Sequence, residues 1–196
     1  RDQMRRTYDP NERENFGINL DDDAIFTNPY ALFEQDRYSP DSISFDAIDR
    51  GMLPESYIAS AFPVPEPAAL DSSIDERRIR ALVVRALIRA ADKGHTLQPR
   101  KWVLDAIQDS KMQGGVYVSS DILEASENFF SGVVSIKENK LGDKNYQLED
   151  IDRMERRVRK EVERRCGPKA KPHKSDYNYR EEINAELLRQ GITESG

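Results

Sequence analysis

The residue types that carry most enzyme chemistry are scarce in this 196-residue chain. It has two histidines, His95 and His173, and a single cysteine, Cys166. Neither histidine has a second His, Cys or carboxylate at a metal-ligand spacing, so we expect no zinc site. No nucleophile has a partner base, and no Gly-x-x-x-x-Gly-Lys-[Ser/Thr] loop is present to hold phosphates. We therefore predict that this chain has no catalytic activity and no cofactor of its own.

Eight basic side chains are the candidates for contacts with nucleic-acid phosphates. Three lie at seven- and four-residue spacing on one face of a predicted helix, three surround the tip of a predicted β-hairpin, and two belong to a later helix. They are Arg78, Arg85 and Arg89, then Lys137, Lys140 and Lys144, then Arg156 and Arg157. Each group also has a simpler interpretation, as the wet side of an amphipathic helix, a solubilising turn, or charges neutralised by neighbouring glutamates.

The charge is distributed unevenly along the chain. The formal net charge is -6, which disfavours indiscriminate binding to a polyanion. Residues 1–75 contain 6 basic and 16 acidic residues, whereas residues 152–174 contain 10 basic and 4 acidic ones. The acidic beginning and the basic later part of the chain are therefore electrostatically opposite.

The location of the protein is predicted from its thiol and from its hydropathy. A lone cysteine excludes an internal disulfide and suits a reducing compartment, and we interpret Cys166 as an inert thiol. No run of 18 apolar residues and no signal peptide is found, so we expect a cytoplasmic protein without membrane contact. Because the sequence begins at Arg1 and its last residues form no closing element, we expect it to be a segment of a longer protein.

Helical periodicity is strongest in the middle of the chain. Apolar residues recur every three or four positions over residues 79–90, and Gly94 follows as a stop. Further helices are predicted from Pro99 and from residues 119–121. Alternating apolar residues at 133–136 and 146–148 then predict a β-hairpin.

These elements divide the chain into five parts. We predict an acidic helical part at residues 1–58, a Pro-rich linker at 59–70, a winged-helix-like domain at 71–150, a charged helix at 150–166 and a largely flexible tail at 167–196. The predicted fold class is mainly α. Three helices followed by a hairpin is the order of a winged-helix domain, although a three-helix bundle with an incidental hairpin has the same order.

The third helix of this domain is unsuited to reading bases. In a winged helix that reads DNA, this helix enters the major groove and carries Arg, Lys, Asn or Gln outward. Here its predicted outward residues are Glu124, Glu127 and Asn128, and two carboxylates would repel phosphate. We therefore expect contact with the DNA backbone rather than recognition of a sequence.

Four pieces of the sequence resemble the region that precedes the motor in RecD-like DNA helicases, the relatives of the exodeoxyribonuclease V alpha subunit. They are Asn28-Pro29-Tyr30, residues 74–81, residues 90–100 with their Gly-His-Thr-x-x-Pro stretch, and residues 153–157. The resemblance implies a helix-hairpin-helix part and a winged-helix part upstream of an ATP- and Mg²⁺-dependent motor. The family's hairpin commonly has a Gly-Ile-Gly turn, but Arg50-Gly51-Met52 occupies that stretch here, so we assign no phosphate contact to it.

The resemblance and the motif analysis lead to two hypotheses of function. The first is a non-catalytic accessory segment of such a helicase, which contacts the backbone of single-stranded or forked DNA or positions the downstream motor. The alternative is a protein-interaction or regulatory module that binds other proteins and no nucleic acid. An independent enzyme is not expected, because no catalytic motif was found.

Overall fold

The computed structural model describes residues 18–37, 42–110 and 117–166, together with Ile183, Glu186 and Arg189. The chain divides into two units, residues 1–154 and 155–196. The elements in chain order are α1 (Asp22–Thr27), α2 (Tyr30–Asp36), α3 (Phe45–Met52), α4 (Ser56–Ala61), α5 (Glu76–Ala91), β1 (Gln98–Pro99), α6 (Arg100–Gln108), α7 (Ser120–Ala125), a 3₁₀ turn (Glu127–Phe130), β2 (Val134–Glu138), β3 (Lys144–Leu148) and α8 (Glu149–Cys166). The predicted fold class, mainly helical with one hairpin and a long C-terminal helix, is confirmed at this level.

Helix α5 is the centre of the first unit. Its N-terminus is capped by the Asp75 carboxylate, which accepts a hydrogen bond from the Arg77 amide. Its apolar stripe, which includes Ile79, Leu82 and Val83, is fully buried. Gly94 follows the helix with a φ of +85°, a conformation that glycine adopts without strain.

The sheet has three antiparallel strands in the order β1-β3-β2. The β2–β3 hairpin pairs Val134 with Leu148 and Glu138 with Lys144, which confirms the predicted hairpin. Strand β1 is only two residues long, pairs with Tyr146 and Asn145, and was not predicted. It joins the segment between α5 and α6 to the hairpin, so the sheet packs against the helices.

The Pro-rich segment is not the linker that we predicted at residues 59–70. Helix α4 occupies its beginning, Ala68 is buried, and Val64 and Leu70 pack against the core. That core contains aromatic residues of α2 and α3 as well as the apolar face of α5. Residues 18–37 and 42–58 therefore share one hydrophobic core with the predicted winged-helix-like domain, because the segment between them packs instead of extending into solvent.

The second unit contains most of α8 and the predicted tail. Over residues 155–166 the side chains of this helix are largely exposed. Apart from Ile183, Glu186 and Arg189, the predicted flexible tail lies outside the described residues. None of the helices in the described ranges is both long enough and apolar enough to cross a membrane.

Candidate nucleic-acid interface

Arg78, the first of the predicted phosphate contacts, is wholly buried. Its Nε and NH2 donate to the two carboxylate oxygens of Asp49 at 2.7 and 2.8 Å, and its NH1 donates to the Ser73 carbonyl at 2.8 Å. Asp49 also accepts a hydrogen bond from the Tyr30 hydroxyl at 2.8 Å. Burial, followed by the nearby Asp49 charge, raises the pKa of Tyr30. The prediction that Arg78 lies on an exposed basic face is therefore wrong, because all of its surface is covered and it holds α3 to α5.

Arg80 holds α2 to α5 in a similar way. Its Nε and NH2 donate to the two carboxylate oxygens of Glu34, each at 2.8 Å, and its guanidinium carbon lies 4.4 Å from the centre of the Phe129 ring. Burial raises the pKa of Glu34, and the hydrogen bonds and charge of Arg80 oppose that increase. This ion pair therefore fixes the first helices on the first half of α5.

Arg77 fastens the Pro-rich segment. Its NH1 and NH2 donate to the carbonyls of Thr27 at 2.8 Å, Pro67 at 3.0 Å and Ala69 at 2.7 Å. The same side chain forms an ion pair of 2.8 Å with Asp75. The planar guanidinium has five donors in a fixed geometry, which lets one residue hold several backbone segments together.

Arg85 marks the change from structural to exposed arginines along α5. Its NH2 donates to Asp46, a half-exposed carboxylate, at 2.8 Å, and its guanidinium carbon lies 5.1 Å from the centre of the Phe45 ring. Its NH1 is buried and has no hydrogen-bond partner among the described residues. Burial, followed by the charge of Arg89, lowers the pKa of Arg85. An anion at this point would offset the repulsion between the two arginines.

A groove of about 460 Å³ lies between α5 and α6. Its α5 wall contains Arg85, Arg89 and Lys93, which are four residues apart and so lie on one face of the helix and its end. Its α6 wall contains Trp102, which is 60% exposed. In the described part of the chain, neither Arg89 nor Lys93 forms an ion pair. Concentrated, unneutralised positive charge of this kind attracts phosphate.

The groove is also lined by an aspartate and a histidine. Asp109 lies on the α6 wall, seven residues after Trp102, and reduces the positive charge at that point. His95 is exposed and lines the groove just after Gly94. No group of three His, Cys, Asp or Glu side chains that could hold a metal ion occurs among the residues with described positions. The groove is therefore suited to binding an anion by charge, hydrogen bonds and ring contact.

The hairpin lysines differ from one another in their contacts. Lys137 forms an ion pair with Asp152 at 2.5 Å and donates to Gln147 at 2.6 Å. Lys144 forms ion pairs with Glu127 at 2.6 Å and Glu124 at 3.0 Å. Both charges are thus offset within the protein, which weakens the predicted contacts of these two lysines with phosphate.

Lys140 is the predicted hairpin contact that lies at the exposed tip of the turn. The Asn139 side-chain oxygen accepts hydrogen bonds from the amides of Leu141 at 2.8 Å and Asp143 at 2.9 Å. Gly142 completes the turn with a φ of +84°. The turn therefore has a defined conformation, and contact between Lys140 and phosphate remains a prediction.

The carboxylates of the predicted third helix are held by basic neighbours. Glu124 and Glu127 both lie within ion-pair distance of Arg100, at 3.1 and 3.7 Å, in addition to their bonds with Lys144. Glu127 also accepts a hydrogen bond of 2.6 Å from the Tyr146 hydroxyl. Burial, followed by this hydrogen bond, raises the pKa of Tyr146. The cluster ties α6 and α7 to the hairpin and presents little unneutralised positive charge.

The last two predicted contacts, Arg156 and Arg157, are exposed on α8. Further along this helix, Glu161 forms ion pairs with Arg164 at 2.6 Å and Arg165 at 2.8 Å. The hydrogen bond from Arg164, followed by that from Arg165, lowers the pKa of Glu161 to about 2. Short-range pairing with glutamates thus occurs on this helix, and the roles of Arg156 and Arg157 remain predictions.

Lys93 and Trp102 line the groove but were not among the predicted contact residues. A signal for both was available, because Lys93 continues the four-residue spacing of Arg85 and Arg89. The spacing of α6 predicts Val103, Leu104 and Ile107 as inward residues. Val103 and Ile107 are buried and Leu104 is partly buried, which leaves Trp102 outside the core. A large aromatic residue outside the core, one helix away from a row of basic residues, is the signal that identifies Trp102.

No protein-family model, no curated protein and no solved structure matches the chain.

Proposed function

We propose that this chain is a non-catalytic accessory segment of a RecD-like DNA helicase, and that its groove holds the DNA backbone. The observation that carries the proposal is the convergence of Arg85, Arg89 and Lys93 on one groove, where the last two form no ion pair within the described parts of the chain. Cationic side chains on one surface are the common feature of proteins that bind the phosphate backbone without reading sequence.

We further propose that residues 71–150 form a winged-helix domain, held against a helix-hairpin-helix-like part. The element order from α5 to β3 supports this assignment, because helix, short strand, two helices and a hairpin follow one another. Sequence-specific reading by the third helix is not proposed, since Glu124 lies at the surface beside Arg100 and Lys144. Because this chain has no phosphate-binding loop, we assign ATP and Mg²⁺ to the motor of the parent protein.

The charge of the groove limits the strength of the binding that we propose. Three cations in the groove would neutralise about three phosphates, and single strands contribute a salt slope of roughly 0.7 per phosphate. The expected slope of log K against log salt concentration is therefore about -2. Since the whole chain has a net charge of -6, this affinity should be detectable mainly at low salt.

Fluorescence anisotropy with labelled single-stranded and forked DNA tests the proposal. The variant Arg89→Glu/Lys93→Glu reverses both unpaired charges of the groove and should abolish binding at low salt. Arg50→Glu/Lys101→Glu makes the same change in net charge on exposed residues that do not line the groove, and should bind like the natural chain. Equal losses in the two variants, or no binding by the natural chain at low salt, would refute a role for the groove in DNA binding.

Lys140→Glu separates the groove from the hairpin. If only the groove binds DNA, this variant should retain most of the affinity, because Lys140 does not line the groove. If the hairpin tip also contacts the backbone, its loss should be comparable with that of a single groove substitution. The measurement therefore decides whether the predicted hairpin contact belongs to the interface.

The second candidate function, a protein-interaction module, is favoured by an exposed aromatic pair. Tyr57 and Phe62, at the two ends of α4, are 70% and 78% exposed. Exposed apolar groups of this size, when they occur together, mark interaction sites. Co-purification with the proposed downstream motor should be lost in Tyr57→Ser/Phe62→Ser. If the natural chain binds the motor but no DNA, this second function replaces the first.

A further inference from the structure

We infer that Trp102 is a stacking platform for an unpaired base, so that the groove takes single-stranded nucleic acid in preference to duplex. This inference rests on the proposed function and adds a substrate class to the same groove. The first support is the position of the ring. Tryptophan is usually highly buried, yet Trp102 is 60% exposed at the start of α6. Within the described residues, Trp102 forms no contact with another aromatic ring and no cation–π contact that would occupy the face of the indole.

The second support is the small residue that follows Trp102 by one helical turn. Ala106 lines the same groove, and its methyl group leaves space beside the indole. Val103 and Ile107 are buried in the core, and Ile107 also lines the bottom of the groove. The α6 wall of the groove therefore presents one large flat ring next to a short side chain.

The third support is the chemical complementarity of the two walls. A nucleotide has an anionic phosphate and a flat base joined through a sugar. The α5 wall offers Arg89 and Lys93 to the phosphate, and the α6 wall offers the indole of Trp102 to the base. Basic grooves with aromatic side chains are how proteins hold single strands without sequence preference, because every base has a π-face.

Duplex DNA can contact the basic α5 wall of the groove, but its bases are not free to stack on Trp102. Its bases are already stacked on one another, and bringing one onto Trp102 would require unpairing and unstacking it. The phosphates of a duplex can still reach Arg89 and Lys93. The groove should therefore bind duplex weakly through charge alone and bind single strands more tightly through charge and stacking together.

The experiment uses the fact that Trp102 is the only tryptophan in the chain. Its fluorescence therefore reports on this ring and on nothing else. The full 196-residue chain is titrated at low salt with oligothymidine, with an oligonucleotide of equal length composed of abasic sites, and with duplex DNA. We expect oligothymidine to quench the tryptophan, and we expect the abasic strand and the duplex to bind more weakly without quenching.

Two variants complete the test. Trp102→Ala should weaken oligothymidine binding by roughly 5- to 150-fold, the range that corresponds to the loss of one stacked base. Its affinity for the abasic strand should not change, and Trp102→Phe should retain most of the oligothymidine affinity. Circular dichroism of each variant checks that the fold is intact, which the exposure of the ring favours.

The outcomes separate this inference from the proposed function. If oligothymidine and the abasic strand bind equally and neither quenches the tryptophan, the stacking role is refuted while binding of the backbone stands. If no nucleic acid binds, both proposals fail. If Trp102→Ala loses affinity for the abasic strand and for oligothymidine in equal measure, the ring supports the groove structurally, and the stacking role is again refuted.

Discussion

Both halves of α5 contain arginines, but the surroundings of these side chains differ. In the first half, Arg78 and Arg80 are covered by α2 and α3 and form ion pairs with Asp49 and Glu34. In the second half, Arg89 is exposed beside the groove. The difference comes from the neighbouring helices, because α2 and α3 supply carboxylates to arginines as far along α5 as Arg85, and none of their described residues forms an ion pair with Arg89. Arginines on one helix are thus either buried in ion pairs or left exposed, according to what covers them.

The largest effect is expected from removing the counter-ion of a buried arginine in the first half of α5. Asp49→Ala removes the only carboxylate that pairs with Arg78 in the described structure and leaves a buried guanidinium without a counter-ion. We expect a loss of about 3–5 kcal/mol in the free energy of unfolding. Asp46→Ala, which removes the half-exposed partner of Arg85, should cost less than about 1 kcal/mol. Urea unfolding measures both, and equal losses would contradict the division of α5 into two halves.

The next effect concerns charge in the second half. Arg89→Gln should weaken binding of single-stranded DNA and lower the salt slope by about 0.7, the contribution of one phosphate. Arg77→Gln removes the same charge from the first half, where the guanidinium is held by backbone carbonyls. It should reduce stability and leave the salt slope unchanged. Anisotropy titrations at several salt concentrations compare the two, and a change of slope in Arg77→Gln would mean that both halves contact DNA.

A smaller effect is expected from the ionisation of Glu34. Burial raises its pKa above the ordinary value of 4.5, so the folded protein binds this proton more tightly than the unfolded chain does. The contribution of Glu34 to stability is therefore greatest below pH 4.5 and falls as the pH rises through the pKa of the folded state. Carboxyl-carbon NMR should show this raised pKa, and Arg80→Ala should raise it further. A pKa below 4.5 would mean that the charge of Arg80 outweighs burial.

The smallest effect is expected where Asp46 partly neutralises Arg85. Removing this carboxylate in Asp46→Ala makes the groove more positive, because Arg85 loses its ion pair. We expect DNA binding to tighten by about two- to threefold at low salt. Asp121→Ala, which removes an exposed carboxylate of α7 that does not line the groove, should leave the affinity unchanged. Weaker binding by Asp46→Ala would show instead that Asp46 is needed to orient Arg85.

The sequence was sufficient to predict elements whose signal is local. The apolar spacing of α5, the alternation of the β2–β3 hairpin and the breaks between them depend only on neighbouring residues. The two-residue strand β1 could not be predicted in this way, because it is defined by its pairing with Tyr146 and Asn145. The packing of the Pro-rich segment could not be predicted for the same reason, because it depends on contacts with Arg77, which lies outside the segment.

Part of the lining of the candidate groove was predicted, and tertiary contacts decide the remainder. Arg85 and Arg89 were found by helical spacing, and both line the groove. Arg78 has the same spacing, but its burial depends on Asp49, which is 29 residues earlier. Lys144 was selected for its place in the hairpin, whereas the carboxylates that hold it belong to α7 and to the turn that follows. A pattern of basic residues shows where charge can be used and does not show which charges are already satisfied.

The hydrogen bonds from Arg77 to the Pro-rich segment determine where a shortened form of this protein can begin and still fold. A fragment that starts at residue 71 would keep Arg78 and Arg80 but lose Asp49 and Glu34, and would lack the carbonyls that Arg77 holds. Two interior cations would then have no counter-ion. The minimal folding unit therefore begins upstream of the prolines. Limited proteolysis should not cleave the Pro-rich segment at residues 59–70, although its sequence resembles a hinge.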